Sequence, residues 1–142
     1  MAAQPSVKVI STWSSVMIIE NVHLSQKAKD QLIKLKRITG IQNWNILCRW
    51  GFCVSIADKT VPPFINIPNE NAVEMTWRVF GGSHHEIYTA LLKERCKKDG
   101  LDLDKQAIGQ QFRLHLHRGI SQLSELINRT GVESIFNINC NL

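Results

Sequence analysis

The side chains that could do chemistry form a few sparse groups. His84, His85 and Glu86 stand together and are the densest of them. Consecutive helical residues point about 100° apart, so three in a row do not converge on one ion unaided. Ser83 and Glu86 also read as an S-x-x-E capping box, which already gives Glu86 a task at a helix start. His115 and His117 are two apart on a helical pattern and face roughly opposite ways. Cys48, Cys53, Cys96 and Cys140 make no C-x-x-C pair and read as buried thiols, not as zinc ligands or a disulfide framework. There is no H-x-x-x-H pair, phosphate-binding glycine loop or nucleophile elbow, and Gly81-Gly82 reads as a turn. The expectation is a protein that is not an enzyme and holds no metal or cofactor.

What remains is charge. The net charge is +5. Residues 1–60 carry Lys8, Lys27, Lys29, Lys34, Lys36, Arg37, Arg49 and Lys59 against Glu20, Asp30 and Asp58, while charges cancel over the remainder. The surplus is concentrated on one short segment, as a phosphate-backbone footprint would be; a solvated helix face is the plainer alternative. Trp13, Trp44, Trp50 and Trp77 could stack on bases, but Trp50 and Trp77 fall on apolar patterns and read as core.

These groups need elements to hold them. Apolar residues make up 44% and charged residues 20%, which suits one compact folded domain. The expected fold is mainly α: about four helices with one short strand or hairpin element. Residues 1–22 read as an N-terminal extension, with a possible strand through Val16–Ile19 and Met17 as an alternative start; 23–130 form the domain and 131–142 a tail. Ser25 is a natural N-cap, Ala28, Leu32, Leu35 and Ile38 make one apolar stripe, and Gly40 stops the helix. On that helix Lys27 and Lys34 stack on one flank of the stripe with Arg37 nearby, and Lys29 and Lys36 on the other. A second helix over Trp44–Ala57 is apolar almost all round, with Arg49 and Ser55 its interruptions. Such a helix must be covered on every side, by a subunit interface or by a central position in the monomer. Pro62, Pro63, Pro68, Asn69 and Asn71 mark a loop. The alternation of Val73, Met75, Trp77 and Val79 predicts a strand. A third helix runs from the Ser83 box to Lys98 and ends at Gly100. A fourth runs from Asp104 to about Asn128, with Ile108, Phe112, Leu116, Leu123 and Ile127 inward, and closes at Gly131. No apolar run is long enough to span a bilayer and no signal peptide is readable, so a cytoplasmic location is expected.

The stretches LSQKAKDQLIKLKRITGI, NWNILCRWGF, VEMTWRVFGGSHHEIYTALLKERCKKDGL and FRLHLHRGISQL, in that order, resemble the DndE family of DNA phosphorothioation proteins. The resemblance runs from Leu24 to Leu123. It implies a helical, non-catalytic subunit that self-associates, as a tetramer in the family. It also implies binding of double-stranded DNA, with a preference for nicked duplex, beside DndC and DndD. The family's lysine-bearing helix maps onto Lys27, Lys29, Lys34, Lys36 and Arg37. The segment used for subunit packing maps onto the turn at Gly40 and the following helix, with Leu47, Trp50 and Val54. One extra residue in the Ile41–Trp44 turn departs from shorter members and bears on interface geometry. Three other readings stand beside this one: a protein–protein adaptor without DNA contact, a small helix-turn-helix regulator, and a nickase built on His84, His85 and Glu86.

Overall fold

The computed structural model describes residues 18–131. Expectations for the N-terminal extension before Ile18 and for the tail beyond Gly131, with Trp13, Met17 and Cys140, lie outside the described residues. The element order is β1 (Asn21–Leu24), α1 (Gln26–Thr39), α2 (Trp44–Ala57), β2 (Val73–Thr76), α3 (Trp77–Gly81), α4 (His85–Lys98) and α5 (Lys105–Thr130). The fold is mainly α, as expected: among the described residues, four long helices, one single-turn helix and a two-stranded sheet. β1 and β2 pair antiparallel in the register Asn21↔Thr76 to Leu24↔Val73.

Helix ends follow local chemistry. Ser25 Oγ accepts from the Ala28 N–H at 3.2 Å, and Gly40 closes α1 at φ 75° with its N–H donating to the Lys36 carbonyl. Asp104 caps α5 in the same way, and Gly131 ends it. Three expectations are corrected. Among the described residues the first strand is Asn21–Leu24, and Ile18 and Ile19, the described part of the expected Val16–Ile19 strand, are not in it. The second stops at Thr76, whose hydroxyl accepts from the Val79 N–H at 3.2 Å and starts a helix that turns Trp77 and Phe80 inward together. The Ser83 box does not form: residues Gly82–His84 make a 3₁₀ turn, and α4 begins at His85 without a side-chain cap.

α5 is the spine. It crosses α2 at Gly51 and Gly119, where the two backbones meet with no side chain between them. A Cβ added at Gly119 would overlap the Gly51 carbonyl, and one at Gly51 would lie 3.0 Å from the Ile120 nitrogen. This crossing covers Leu47, Cys48, Phe52 and Ser55 on α2, all 0% exposed. Beside it, the rings of Trp77, Phe80 and Phe112 have their centroids 5.0–5.2 Å apart. Phe52 packs on Phe112 at 5.4 Å. The central-monomer alternative for α2 therefore holds on the face turned to α5.

Polar groups seal the end of α2. Arg95 donates to the carbonyls of Ile56 (2.8 Å) and Thr60 (2.6 Å) and pairs with Asp99 at 3.0 Å. Arg118 donates to Ser55 Oγ (2.8 Å), the Ser55 carbonyl (2.9 Å) and the Thr60 carbonyl (3.0 Å). Two arginines from other helices thus satisfy carbonyls that a helix terminus leaves open. Ser55 Oγ also shares a 2.8 Å hydrogen bond with His115 Nδ1. Burial, reinforced by the cations of Arg118 and Arg95, pushes the His115 imidazole down to about 4. On the same helix His117 Nδ1–H donates to the Arg113 carbonyl at 2.8 Å, leaving Nε2 to accept from the Ser25 N–H at 3.2 Å. Burial lowers His117 as well.

Two predictions follow from this packing. Gly119→Ala forces backbones apart and lowers unfolding free energy by more than about 3 kcal/mol, read from urea melts; an unchanged midpoint would contradict the crossing. Both buried histidines fold neutral, so the unfolded chain binds protons first on acidification. Stability should be level just above the ordinary histidine value of 6.5, below the thiol range, and decline as pH falls from 6.5 toward about 4. Urea midpoints measured across that window check this, and a flat profile would contradict it.

Candidate nucleic-acid interface

α1 lies on the spine by its narrow apolar stripe, Ala28, Leu32 and Leu35. Ile38, expected in that stripe, is instead 37% exposed, because the helix wheel carries it to the flank shared with Lys27 and Lys34. The N-terminus of α1 is pinned from two directions. His117 of α5 takes the Ser25 N–H, and Glu70 Oε2 takes the Gln26 N–H at 2.9 Å. Gln31 Nε2 donates to Ser121 Oγ on α5 at 3.1 Å. The helix that carries the cations is therefore held in a fixed pose by neutral or acidic groups behind it.

All five expected cations come together on this helix. Lys27, Lys34 and Arg37 are exposed, and Lys29 and Lys36 are half-buried along their stems. Among the described residues, no ion pair engages any of them; Arg95–Asp99, Lys105–Glu20 and Arg118–Asp58 pair elsewhere. Asp30, the one acid on α1, is bonded to by Gln26 Nε2 at 2.9 Å. The result is a row of unneutralised charge on a rigid rod, Lys27 and Lys34 about 10 Å apart at 1.5 Å rise per residue.

The residues expected at a subunit interface separate. Leu47 is 0% exposed inside the chain's own core, so its side chain has no surface to offer; this corrects the expectation for it. Gly40 is exposed at the end of α1. Trp50 and Val54 pack partly on the core and stay half-buried, as do Ile46 and Cys53 on the same outward side of α2. Trp77 is buried, and Trp44 is half-buried. His84 and Glu86 are exposed and His85 half-buried, at the head of α4 and away from α1.

The sequence reading missed the surroundings of the lysine helix. The segment between α2 and β2 folds back beside α1. A groove of about 450 Å³ separates them, lined by Lys27 and Gln31 on one side, Pro63, Ile65 and Pro68 on the other, and Arg118 on its floor side. Arg113 Nη2 donates to the Pro68 carbonyl at 2.9 Å and holds the far end of that segment. Only the prolines signalled the loop, and nothing in the chain's local pattern announced that arginines from α5 would anchor it.

The fold has counterparts in known proteins. The crystal structure of DndE from Escherichia coli B7A, involved in DNA phosphorothioation modification, superposes with a TM-score of 0.63 at 24% identity, covering 76% of this chain and 99% of that one. A glycine-to-lysine mutant of DndE, also described as involved in DNA phosphorothioation, gives 0.61 at 23% identity, covering 75% and 99%. At these identities the likeness establishes the shared fold. No curated protein sequence matches the chain. The family model for DNA sulphur modification protein DndE matches residues 21–133, most of the chain, and the chain belongs to the DndE family.

Proposed function

We propose that this protein is a non-catalytic DNA-binding subunit of a phosphorothioation system, which grips duplex DNA, nicked duplex above all, through α1. The observation that carries this reading is the row of Lys27, Lys29, Lys34, Lys36 and Arg37, without ion-pair partners among the described residues, on a helix pinned at its start. Lysine ammonium groups are compact point charges that suit phosphate oxygens and carry no base-reading geometry. The roughly 10 Å between Lys27 and Lys34 matches about three base-pair rises of 3.4 Å along one strand. Binding of this kind is neutral to sequence. A nick relaxes stacking and lets the duplex bend toward a rigid basic surface at low cost, which favours the broken duplex.

Self-association would multiply the basic rows. The outward side of α2, with Ile46, Trp50, Cys53 and Val54 half-covered, supports a homo-oligomer packed there with Gly40 at its border, a tetramer fitting the family pattern. DndC- and DndD-like proteins are the proposed partners, acting in the cytoplasm. Val79, Ile87 and Leu91, each at least 40% exposed on α3 and α4, support the second reading, an adaptor that contacts those proteins and leaves DNA alone.

Two measurements decide between these. Affinity for intact, nicked and single-stranded DNA across salt should give a log–log slope near −0.9 per phosphate neutralised, with nicked duplex bound most tightly. Changing Lys27, Lys34 and Arg37 together to Glu should cut duplex affinity at least tenfold and flatten the slope by about three units. No duplex binding at low salt would leave the adaptor. Sedimentation should show an oligomer that Val54→Glu converts to folded monomer; a monomeric parent protein would remove the proposed interface.

A further inference from the structure

The loop between α2 and β2 presents an aromatic ring to solvent. Phe64 is 73% exposed, and Val61 and Ile65 beside it are 49% and 55% exposed. Among the described residues it is the one phenylalanine, tyrosine or tryptophan classed as exposed; the others are buried or half-buried. Single exposed apolar residues are commonplace. Three within five positions on a loop that is held from several sides are not explained that way.

The loop is held firmly. Arg95 and Arg118 both donate to the Thr60 carbonyl, at 2.6 Å and 3.0 Å. Pro62 is buried. Arg113 holds the Pro68 carbonyl, and the Ala72 N–H donates to the Leu24 carbonyl at 3.0 Å. Two consecutive prolines before Phe64 restrict the backbone that carries the ring. All residues from Pro62 to Pro68 except Phe64 line the groove beside α1. Pro63 and Ile65 line the groove opposite Lys27 and Gln31, while Phe64 between them is not part of that lining and projects outward.

Charge selects the occupant. From Lys59 to Asn69 the loop holds a single charged residue, Lys59; Glu70, which follows and also lines the groove, is engaged by the Gln26 N–H. Across the groove stands the α1 flank with Lys27, and Lys34 follows two turns later on the same side. An exposed ring beside a groove lined by Lys27 suits a strand held by its phosphates while a base stacks on the aromatic face.

Resting on the DNA-binding reading above, we propose that Phe64 is a stacking residue. When Lys27 and Lys34 engage the backbone, its ring packs against a nucleobase left unstacked at a strand break. The intact duplex offers no such face, so the contact adds selectivity without reading sequence.

The test uses the full chain and two probes, an intact duplex and the same duplex nicked beside a 2-aminopurine. The parent protein should change the 2-aminopurine fluorescence on binding. Phe64→Ala and Phe64→Leu should both lose that change and reduce the nicked-to-intact affinity ratio, by roughly five- to hundredfold where stacking is complete. Affinity for intact duplex should stay the same, and Phe64→Trp should restore both signals. The leucine variant matters because it keeps the apolar bulk and removes the aromatic face. Because the ring is exposed, the variants should melt as the parent does. An unchanged ratio with Phe64→Ala, while intact duplex is still bound, overturns the stacking role and leaves the DNA reading standing. A parent protein that ignores both duplexes overturns the two together. If Phe64→Ala instead dissociates the oligomer in sedimentation and spares the ratio, the tip is a protein contact and the proposal is wrong.

Discussion

The contact between Gly51 and Gly119 sets the distance at which α2 and α5 cross, and most other contacts inherit that distance. With no Cβ between the backbones, the side chains on either side of the crossing interlock directly. Phe52 then reaches Phe112, and Ser55 reaches both His115 and Arg118. Further along α5, the same placement lets His117 meet the start of α1 and Arg113 meet the Pro68 carbonyl. One long helix thus positions the basic helix and the loop beside it. A change of even a methyl group at the crossing would travel along α5 to both, because packed interiors transmit displacement.

The two kinds of cation divide the labour. Arg95, Arg113 and Arg118 turn inward, and each donates to a backbone carbonyl; Arg95 and Arg118 spread two or more donors over fixed acceptors. The planar guanidinium, with several donors in a fixed fork, suits that work. The lysines of α1 keep their ammonium groups at the surface, where a point charge costs little to solvate and can follow a moving phosphate. Net charge alone would not separate these roles. Several of the arginines that contribute to the basic composition are spent on holding the chain together, whereas the α1 lysines stay at the surface and carry the proposed phosphate contacts.

Much of this was legible in the sequence because it was local. Ser25, Gly40, Asp104 and Gly131 mark helix ends by their own chemistry, and the bounds of α1, α2 and α5 agree with them to within a residue or two. The cation row follows from helical spacing alone. What stayed hidden depends on partners distant in the chain. β1 is a four-residue strand whose reason for existing is β2, far downstream. The alternation at Val73–Val79 looked like one strand because a helix of five residues is too short to impose its own period, and only the Thr76 cap and the burial of Trp77 and Phe80 reveal it. Leu47 could be assigned to an interface since an apolar helix does not say which of its faces meets its own chain. The anchored loop was legible only as prolines, because its three arginine anchors sit on α4 and α5.

The central claim is that the ammonium groups of α1 are the ones that meet phosphate. Lysine acylation footprinting, comparing free protein with protein saturated by duplex DNA, reads this residue by residue. Lys27 and Lys34 should be strongly protected in the complex while Lys97 and Lys98, exposed at the end of α4, keep their reactivity. Full reactivity of Lys27 and Lys34 under saturating duplex, or protection confined to α4, would contradict the account.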